Sequence, residues 1–288
     1  MAFHTITVQP CTPNIGAEVS NIDLTRPLTR REIEDVHAAF ARYQVLFFRD
    51  QKIDWDSQVR FARLFGELHA MRVGKSNSEA TDNPYVRRQH FDANSERVSG
   101  EAWHADQTCN PIPPRGSILY NHTVPPDGGG DTLFASMYAA YDALSPTMKD
   151  FLEGLTATHD GKHIFGPATP ATVHPVIIRH PVTDKKILFV NRGFTMRINE
   201  LSAEESDALL KFLYVHLIHP DWTVRFRWTP HSLAMWDNMC LQHRAIWDYW
   251  PHTRSGYRVQ FEGDAPPAAT RSLGGLGRVD GSAPRPTQ

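Results

Sequence analysis

A mainly β fold, an antiparallel sandwich of short strands carrying helices on one side, is what the sequence predicts. Three observations lead there. Short apolar runs bounded by Gly, Pro and polar residues dominate the middle and C-terminal half of the 288 residues. Helical patterns are few and do not alternate regularly with strands, which argues against a doubly wound parallel sheet. The chain is also long enough to bury a substantial core, and no internal repeat divides it.

From the N-terminus, residues 6–8 and 17–19 read as short strands parted by Pro10, Pro13 and Gly16. Thr29 and Glu32 have the spacing of a capping box, and Ile33, Val36, Ala39 and Phe40 follow at helical intervals. Val45–Phe48 is a short apolar run of the kind that makes a buried strand. Residues 55–65 predict a second helix, with Val59, Ala62 and Phe65 inward and Gly66 as its stop. Between residues 68 and 100 the pattern dissolves into polar residues, apart from a strand at 85–88, as in a lid or binding loop. Strands are expected at 116–120 and 131–134, around the turn Pro125 to Gly130. That triple glycine is no phosphate loop, because no lysine follows it. Ser136 and Ser145 each open a helix, the second with Pro146 at its first position and Gly154 at its end. Strands at 156–159, 176–179 and 187–190 precede a helix opened by Ser202 and Glu205, with Leu209, Leu210, Leu213 and Leu217 down one side. Residues 223–228 and 233–236 then alternate as strands. Residues 1–264 are expected to form one domain. Residues 265–288, rich in Pro, Gly, Ser and Arg, are expected to be a disordered tail.

Composition narrows the function. A formal net charge of -2 gives no basic excess for nucleic acid or an anionic membrane. Cys11, Cys109 and Cys240 are far apart and outside any C-x-x-C spacing, so neither a disulfide framework nor a thiolate zinc site is indicated. No apolar run approaches the ~18 residues needed to span a bilayer, and residues 1–7 do not read as a signal peptide; a cytoplasmic location is expected.

The chemistry concentrates at residues 101–108, EAWHADQT, which set an imidazole and a carboxylate two residues apart. If that stretch is extended, His104 and Asp106 share a face. One further histidine would complete two nitrogens and one oxygen, a set that suits non-haem Fe(II) and leaves positions open for a co-substrate and dioxygen. The pattern His-x-Asp occurs twice more, at His90/Asp92, which leads into a polar loop, and at His219/Asp221, where Pro220 favours a turn. Further on, His243 follows the run Trp236-Asp237-Asn238, and Arg254 and Arg258 follow it by eleven and fifteen residues. Arginines an even number of residues apart on one strand face the same way, and their planar forks suit carboxylate or sulfonate anions.

At this point the chain resembles the taurine dioxygenase/TfdA group of Fe(II)- and 2-oxoglutarate-dependent dioxygenases. The similarity runs over roughly residues 6 to 262, through 15–17 (IGA), 24–28 (LTRPL), 103–106 (WHAD), 129–132 (GGDT), 188–191 (LFVN), 236–238 (WDN) and His243. The resemblance implies a double-stranded β-helix (a cupin-like jelly roll), with iron held by His104, Asp106 and His243 as the catalytic centre. It further implies 2-oxoglutarate gripped by Thr132 and Arg254, and O2 as oxidant. Arg258 matches the position that binds the substrate anion, and Phe165 and Phe194 match apolar pocket positions. Met71, Gly74 and Gly100 stand where taurine-specific members carry polar or aromatic contacts, so Met71 is read as a pocket residue for a less polar substrate. Residues 98–104, 136–138 and 144–148 look more like members acting on aryloxypropionate-type acids. A small anionic organic substrate, an aryloxyalkanoate first and an alkylsulfonate or alkyl sulfate second, is therefore expected, cleaved beside its heteroatom. A homodimer or homotetramer is the expected assembly.

Blander readings stand beside these. Trp103 and Trp236 read as core packing, and Phe165 and Phe194 can serve the same end. Arg258 can be a structural ion pair. His69, His159, His163, His174 and His180 are expected to be satisfied by backbone or solvent. A zinc hydrolase would leave the paired arginines without a purpose, and a non-catalytic ligand-binding jelly roll would be expected to have lost one of the three ligands.

Overall fold

A computed structural model describes residues 3–70, 78–96, 98 and 100–270. Its main sheet has eight strands in the spatial order Thr7–Pro10, Ala17–Ser20, Val45–Phe48, Ser232–Asp237, Gly116–Thr123, Arg254–Phe261, Val86–Phe91 and Ser78–Ala80. Every pairing is antiparallel except that of Ala17–Ser20 with Val45–Phe48. A smaller antiparallel sheet of Thr223–Phe226, Thr132–Ser136 and Leu241–Ala245 packs on it.

Alternation along one strand shows how the layers form. Val45 and Phe47 enter the core between the two sheets, where Phe47 stacks on Phe226 with centroids 4.0 Å apart. Leu46 and Phe48 point the other way, onto the helices Arg30–Tyr43 and Trp55–Ala62. Both faces of the strand are covered, which is why all four residues are apolar. The capping box of Thr29 and Glu32 is formed, and Val36, Ala39 and Phe40 are the buried face of that helix. The second helix stops at Ala62, short of the expected Phe65, and the chain turns through Gly66 at φ +153°.

Several elements escape the sequence pattern: strands Ser78–Ala80, Thr172–Pro175, Thr195–Ile198 and Leu241–Ala245, and helix Lys162–Phe165. Each is three to five residues long, too short for a period to declare itself. Ala268–Ala269, within the expected tail, pairs with Ile178 and Arg179. The remainder of that tail from residue 271, and Met71 and Gly74 in the expected loop, lie outside the described residues.

On the strand Arg254–Phe261 a register shift falls opposite its start, where Ser255 faces Thr123 and Gly256 faces Asn121. The extra residue, His122, belongs to the partner strand, so alternation along Arg254–Phe261 is unbroken. Arg254, Arg258 and Gln260 consequently share one face. A Cβ on Gly256 would fall 2.0 Å from the Tyr120 carbonyl oxygen, so only glycine fits there.

Buried histidines hold the neighbouring loop in place, and their partners correct the expectation of backbone or solvent. His159 is fully buried and its Nδ1 meets the Thr108 hydroxyl at 2.9 Å, while Asn191 donates to the same oxygen at 3.0 Å. His69 meets the side chains of Glu262 and Gln107, and His180 Nε2 meets that of Asp237. His174 follows the expectation, donating to the carbonyls of Thr108 and Asn110, and His180 follows it in part, its Nδ1 accepting from the backbone amides of Val182 and Thr183. Burial, then the nearby His174, lowers His159 to about 3, so the folded protein keeps it neutral. Because the unfolded chain takes up that proton from about pH 6.5 downward, the contribution of His159 to stability is whole above that value and is lost as pH falls toward 3. Urea unfolding at pH 7 and pH 5 is expected to show about 2 kcal/mol of loss from this group, and His159→Gln should reduce the pH dependence by that amount.

Candidate metal centre and anion pocket

His104 and His243 face each other across two reciprocal backbone hydrogen bonds, His104 N–H to His243 O at 3.1 Å and His243 N–H to His104 O at 2.8 Å. Residues 101–108 do not form a strand beyond that single bridge, and Asp106 already lies in the turn that follows. The turn, rather than the expected extended alternation, aims the carboxylate at the histidines. Asp106 Oδ1 is 3.5 Å from His104 Nε2 and 3.7 Å from His243 Nε2, and the three ligand atoms lie within 4.8 Å of one another.

Protonation suits a cation. His104 Nδ1 is 2.8 Å from the Ala102 carbonyl. A carbonyl only accepts, so the proton is on Nδ1 and the Nε2 lone pair faces the centre, as in ligating imidazoles. Burial first, then the neighbouring His104 imidazole, keeps His243 well below the ordinary imidazole range and hence neutral. For Asp106 burial alone would raise the carboxyl, but Arg258, then His243 and His104, outweigh it and hold it well below the usual carboxylate range. Two imidazole nitrogens and one carboxylate oxygen thus converge, the donor set that fits Fe(II).

His104, His243, Thr132, Arg254 and Arg258 line one cavity, with Gln89, Phe91, Gly100, Leu119 and Trp236 among its other walls, enclosing an empty volume of about 510 Å³ that opens to solvent. Arg254 is 4% exposed, and its Nε has no hydrogen-bond partner among the described residues. Its guanidinium carbon lies 5.3 Å from the Trp228 ring centroid, and the Trp228 indole donates to Thr132 Oγ1 at 3.0 Å. Indole nitrogen can only donate, so Thr132 keeps its own proton for another acceptor. Glycine at 130, φ +82°, leaves room for this arrangement, since a Cβ there would come within 3.1 Å of both Arg254 and the Tyr249 ring. Arg258 is paired with Asp106 Oδ2 and reaches Ser117 Oγ at 3.1 Å.

Of the other expected residues, Phe194 is buried with its ring 6.5 Å from that of His104, and Phe165 lies parallel to it at 6.3 Å. Neither lines the cavity just described. Trp236 is core, as expected, and also packs 4.8 Å from the His243 ring. Sequence reasoning missed Trp228, Ser117 and Gly193, all of which touch the site. The only signal for two of them was place: Trp228 ends an alternating run and Ser117 lies in an expected strand. His90 and His219 join no cluster among the described residues, and His219 caps a 3-10 turn. A second group, His180, Asp237 and Cys240, is gathered but poorly suited to a metal. Its His180 Nδ1 accepts from the amides of Val182 and Thr183, which leaves Nε2 protonated and donating to Asp237.

Comparison with known proteins decides the family. Residues 7–260 match the family described as taurine catabolism dioxygenase TauD, TfdA family. The chain belongs to the TauD/TfdA family. Among its relatives is an alpha-ketoglutarate-dependent sulfonate dioxygenase of Saccharomyces cerevisiae, 33% identical over 91% of this chain and 68% of the relative. An alpha-ketoglutarate-dependent sulfate ester dioxygenase of Pseudomonas putida is 31% identical over 91% of each. Relatives named for 2,4-dichlorophenoxyacetate and (S)-phenoxypropionate are also 31% identical. The solved structure of AAD-2 in complex with Mn(II) and N-oxalylglycine superposes with a TM-score of 0.80 at 27% identity, over 92% of this chain and 99% of that one. As a TauD/TfdA member the protein is a jelly-roll, 2-oxoglutarate-dependent non-haem iron dioxygenase that uses Fe(II), 2-oxoglutarate and O2.

Gly193 is wedged behind the first histidine, where a Cβ would fall 2.7 Å from His104 Cβ. Gly193→Ala is expected to displace that imidazole and weaken Fe(II) binding about tenfold, the size of effect seen for residues that orient a ligand. Anaerobic metal titration of the folded variant checks it.

Proposed function

We propose that His104, Asp106 and His243 hold Fe(II), that Thr132 and Arg254 take the distal carboxylate of 2-oxoglutarate, and that Arg258 takes the anionic head of a small organic substrate. The observation that carries this reading is two guanidiniums in one cavity with two imidazoles, the Arg254 guanidinium being buried with no hydrogen-bond partner for its Nε among the described residues. When bound, Fe(II) supplies oxygen activation, coupling conversion of 2-oxoglutarate to succinate and carbon dioxide to hydroxylation of a substrate C–H.

The chain's own residues supply binding, aim and dryness. Arg254 and the free Thr132 proton offer two donors to one carboxylate end. Arg258, fixed over the Trp236 ring at 5.1 Å, exchanges Asp106 for the incoming anion and thereby sets which carbon faces the histidines. Phe91, Leu119 and Trp236 in the cavity wall, with Phe194 and Phe165 beyond His104, give the substrate body an apolar seat. A carbon hydroxylated beside its heteroatom is unstable and breaks there, releasing sulfite, sulfate or a phenol according to the head group.

Alkylsulfonates and alkyl sulfates come first in this proposal, supported by the names of the more similar relatives. Aryloxyalkanoates, the class first expected from sequence, are the second reading, supported by the parallel Phe165 and Phe194 rings and by the two relatives named for such acids. A panel of both classes with Fe(II), ascorbate and 2-oxoglutarate, scored by succinate release, tests it. His104→Ala is expected to abolish all turnover. Arg258→Ala should raise KM for the anionic substrate roughly 10- to 100-fold, the worth of a charged hydrogen bond, while substrate-free 2-oxoglutarate turnover is largely kept. Equal loss of both activities would give Arg258 a different role.

A further inference from the structure

Beneath Asp106 lies a set of buried amides that the reaction scheme does not use. Ser117, in the strand Gly116–Thr123, is fully buried, and three N–H donors lie within hydrogen-bond distance of its hydroxyl oxygen and share its two lone pairs. These are Arg258 Nη2 at 3.1 Å, Asn238 Nδ2 at 3.2 Å and Gln260 Nε2 at 2.9 Å. Its own oxygen lies 2.8 Å from Asp106 Oδ2.

The directions of the Asn238 and Arg258 bonds follow from groups that have no choice. The Trp236 indole can only donate, and it donates to Asn238 Oδ1 at 3.0 Å, so the Asn238 amide nitrogen is the atom turned to Ser117. Arginine likewise only donates. Gln260 sets its Nε2 toward Ser117 and its Oε1 3.0 Å from Gln107 Nε2. With donors on every other side, the one proton of Ser117 has Asp106 Oδ2 as its acceptor. Arg258 occupies the same Oδ2. The other oxygen, Oδ1, is the one that faces both histidines.

We propose that Ser117 is a positioning residue that ties down Asp106 Oδ2 and so presents Oδ1 alone to the metal ion, with the orientation set from Trp236 through Asn238. This rests on the metal-site reading above. Once an anionic substrate draws Arg258 away, the Ser117 hydroxyl is the remaining anchor among the described residues on that oxygen. Without it the carboxylate can rotate or bind through both oxygens, consuming a position needed by the co-substrate.

The test is anaerobic Co(II) titration of the metal-free full chain, following affinity and the visible d–d bands, with thermal melting of the same metal-free samples. Ser117→Ala is expected to weaken Co(II) binding roughly 10- to 100-fold and to shift the bands, because the carboxylate loses its fixed rotation. Gln260→Met, which removes one donor but leaves the hydroxyl held by Asn238 and Arg258, is expected to change affinity by no more than about threefold. A folded Ser117→Ala protein with the parent's affinity and spectrum overturns the proposal, as does a Gln260→Met loss as large as that of Ser117→Ala. Should Ser117→Ala not fold, Ser117→Thr decides: parental affinity and bands support the hydroxyl's role, and a tenfold loss overturns it. A parent protein that fails to bind Co(II) would instead sink the metal-site reading itself, which keeps the two failures apart.

Discussion

Two backbone hydrogen bonds, exchanged between His104 and His243, are the constraint on which the site depends. A reciprocally bonded antiparallel pair fixes the separation and relative tilt of its two residues without help from their side chains. The imidazoles are thus delivered as neighbours, with ring centroids 4.2 Å apart, by two chain segments that are also joined where the Ala245 amide donates to the Gly100 carbonyl at 2.9 Å. The turn beginning at Asp106 then has only to swing a short carboxylate inward, and the buried Ser117, Asn238 and Gln260 determine how it lands.

Electrostatics explains why so polar a centre is tolerated inside a sandwich. A lone buried carboxylate would be protonated, but Asp106 has a guanidinium on one oxygen and imidazole nitrogens near the other. Polar side chains continue behind it, from Gln260 through Gln107 to His69 and the half-exposed Glu262 at the surface. A hydrolytic zinc reading loses ground here, because among the described residues no further carboxylate or imidazole joins the three ligands as a base. The paired arginines would also have nothing to bind.

Much of this was legible in the sequence, for physical reasons. Val45–Phe48 declared itself as an unbroken apolar run because both of its faces are covered, and the capped helices through period and cap because one face of each is buried. The His-x-Asp motif with His243, Arg254 and Arg258 was legible through residue type and spacing. Leu241–Ala245 was not, although it carries His243: Gln242 and His243 are polar yet buried, because they serve the site rather than the core, so the hydrophobic pattern fails there. The extended geometry expected of residues 101–108 failed for a related reason, as a turn can juxtapose two side chains that a strand would also have aligned. Ser117 and Gly193 were invisible because their roles come from what packs against them across the sheet, not from their neighbours in the chain.

Arg254 carries a consequence of its own. Wedged between the Trp228 face and the Tyr249 ring over a glycine that leaves no slack, it is a cation without freedom to follow its ligand. If a dicarboxylic co-substrate bridges from it to the histidine pair, as proposed, the span between them is a fixed ruler. Diacids one carbon shorter or longer would have to choose between their two ends, and selectivity for chain length would follow from rigidity alone.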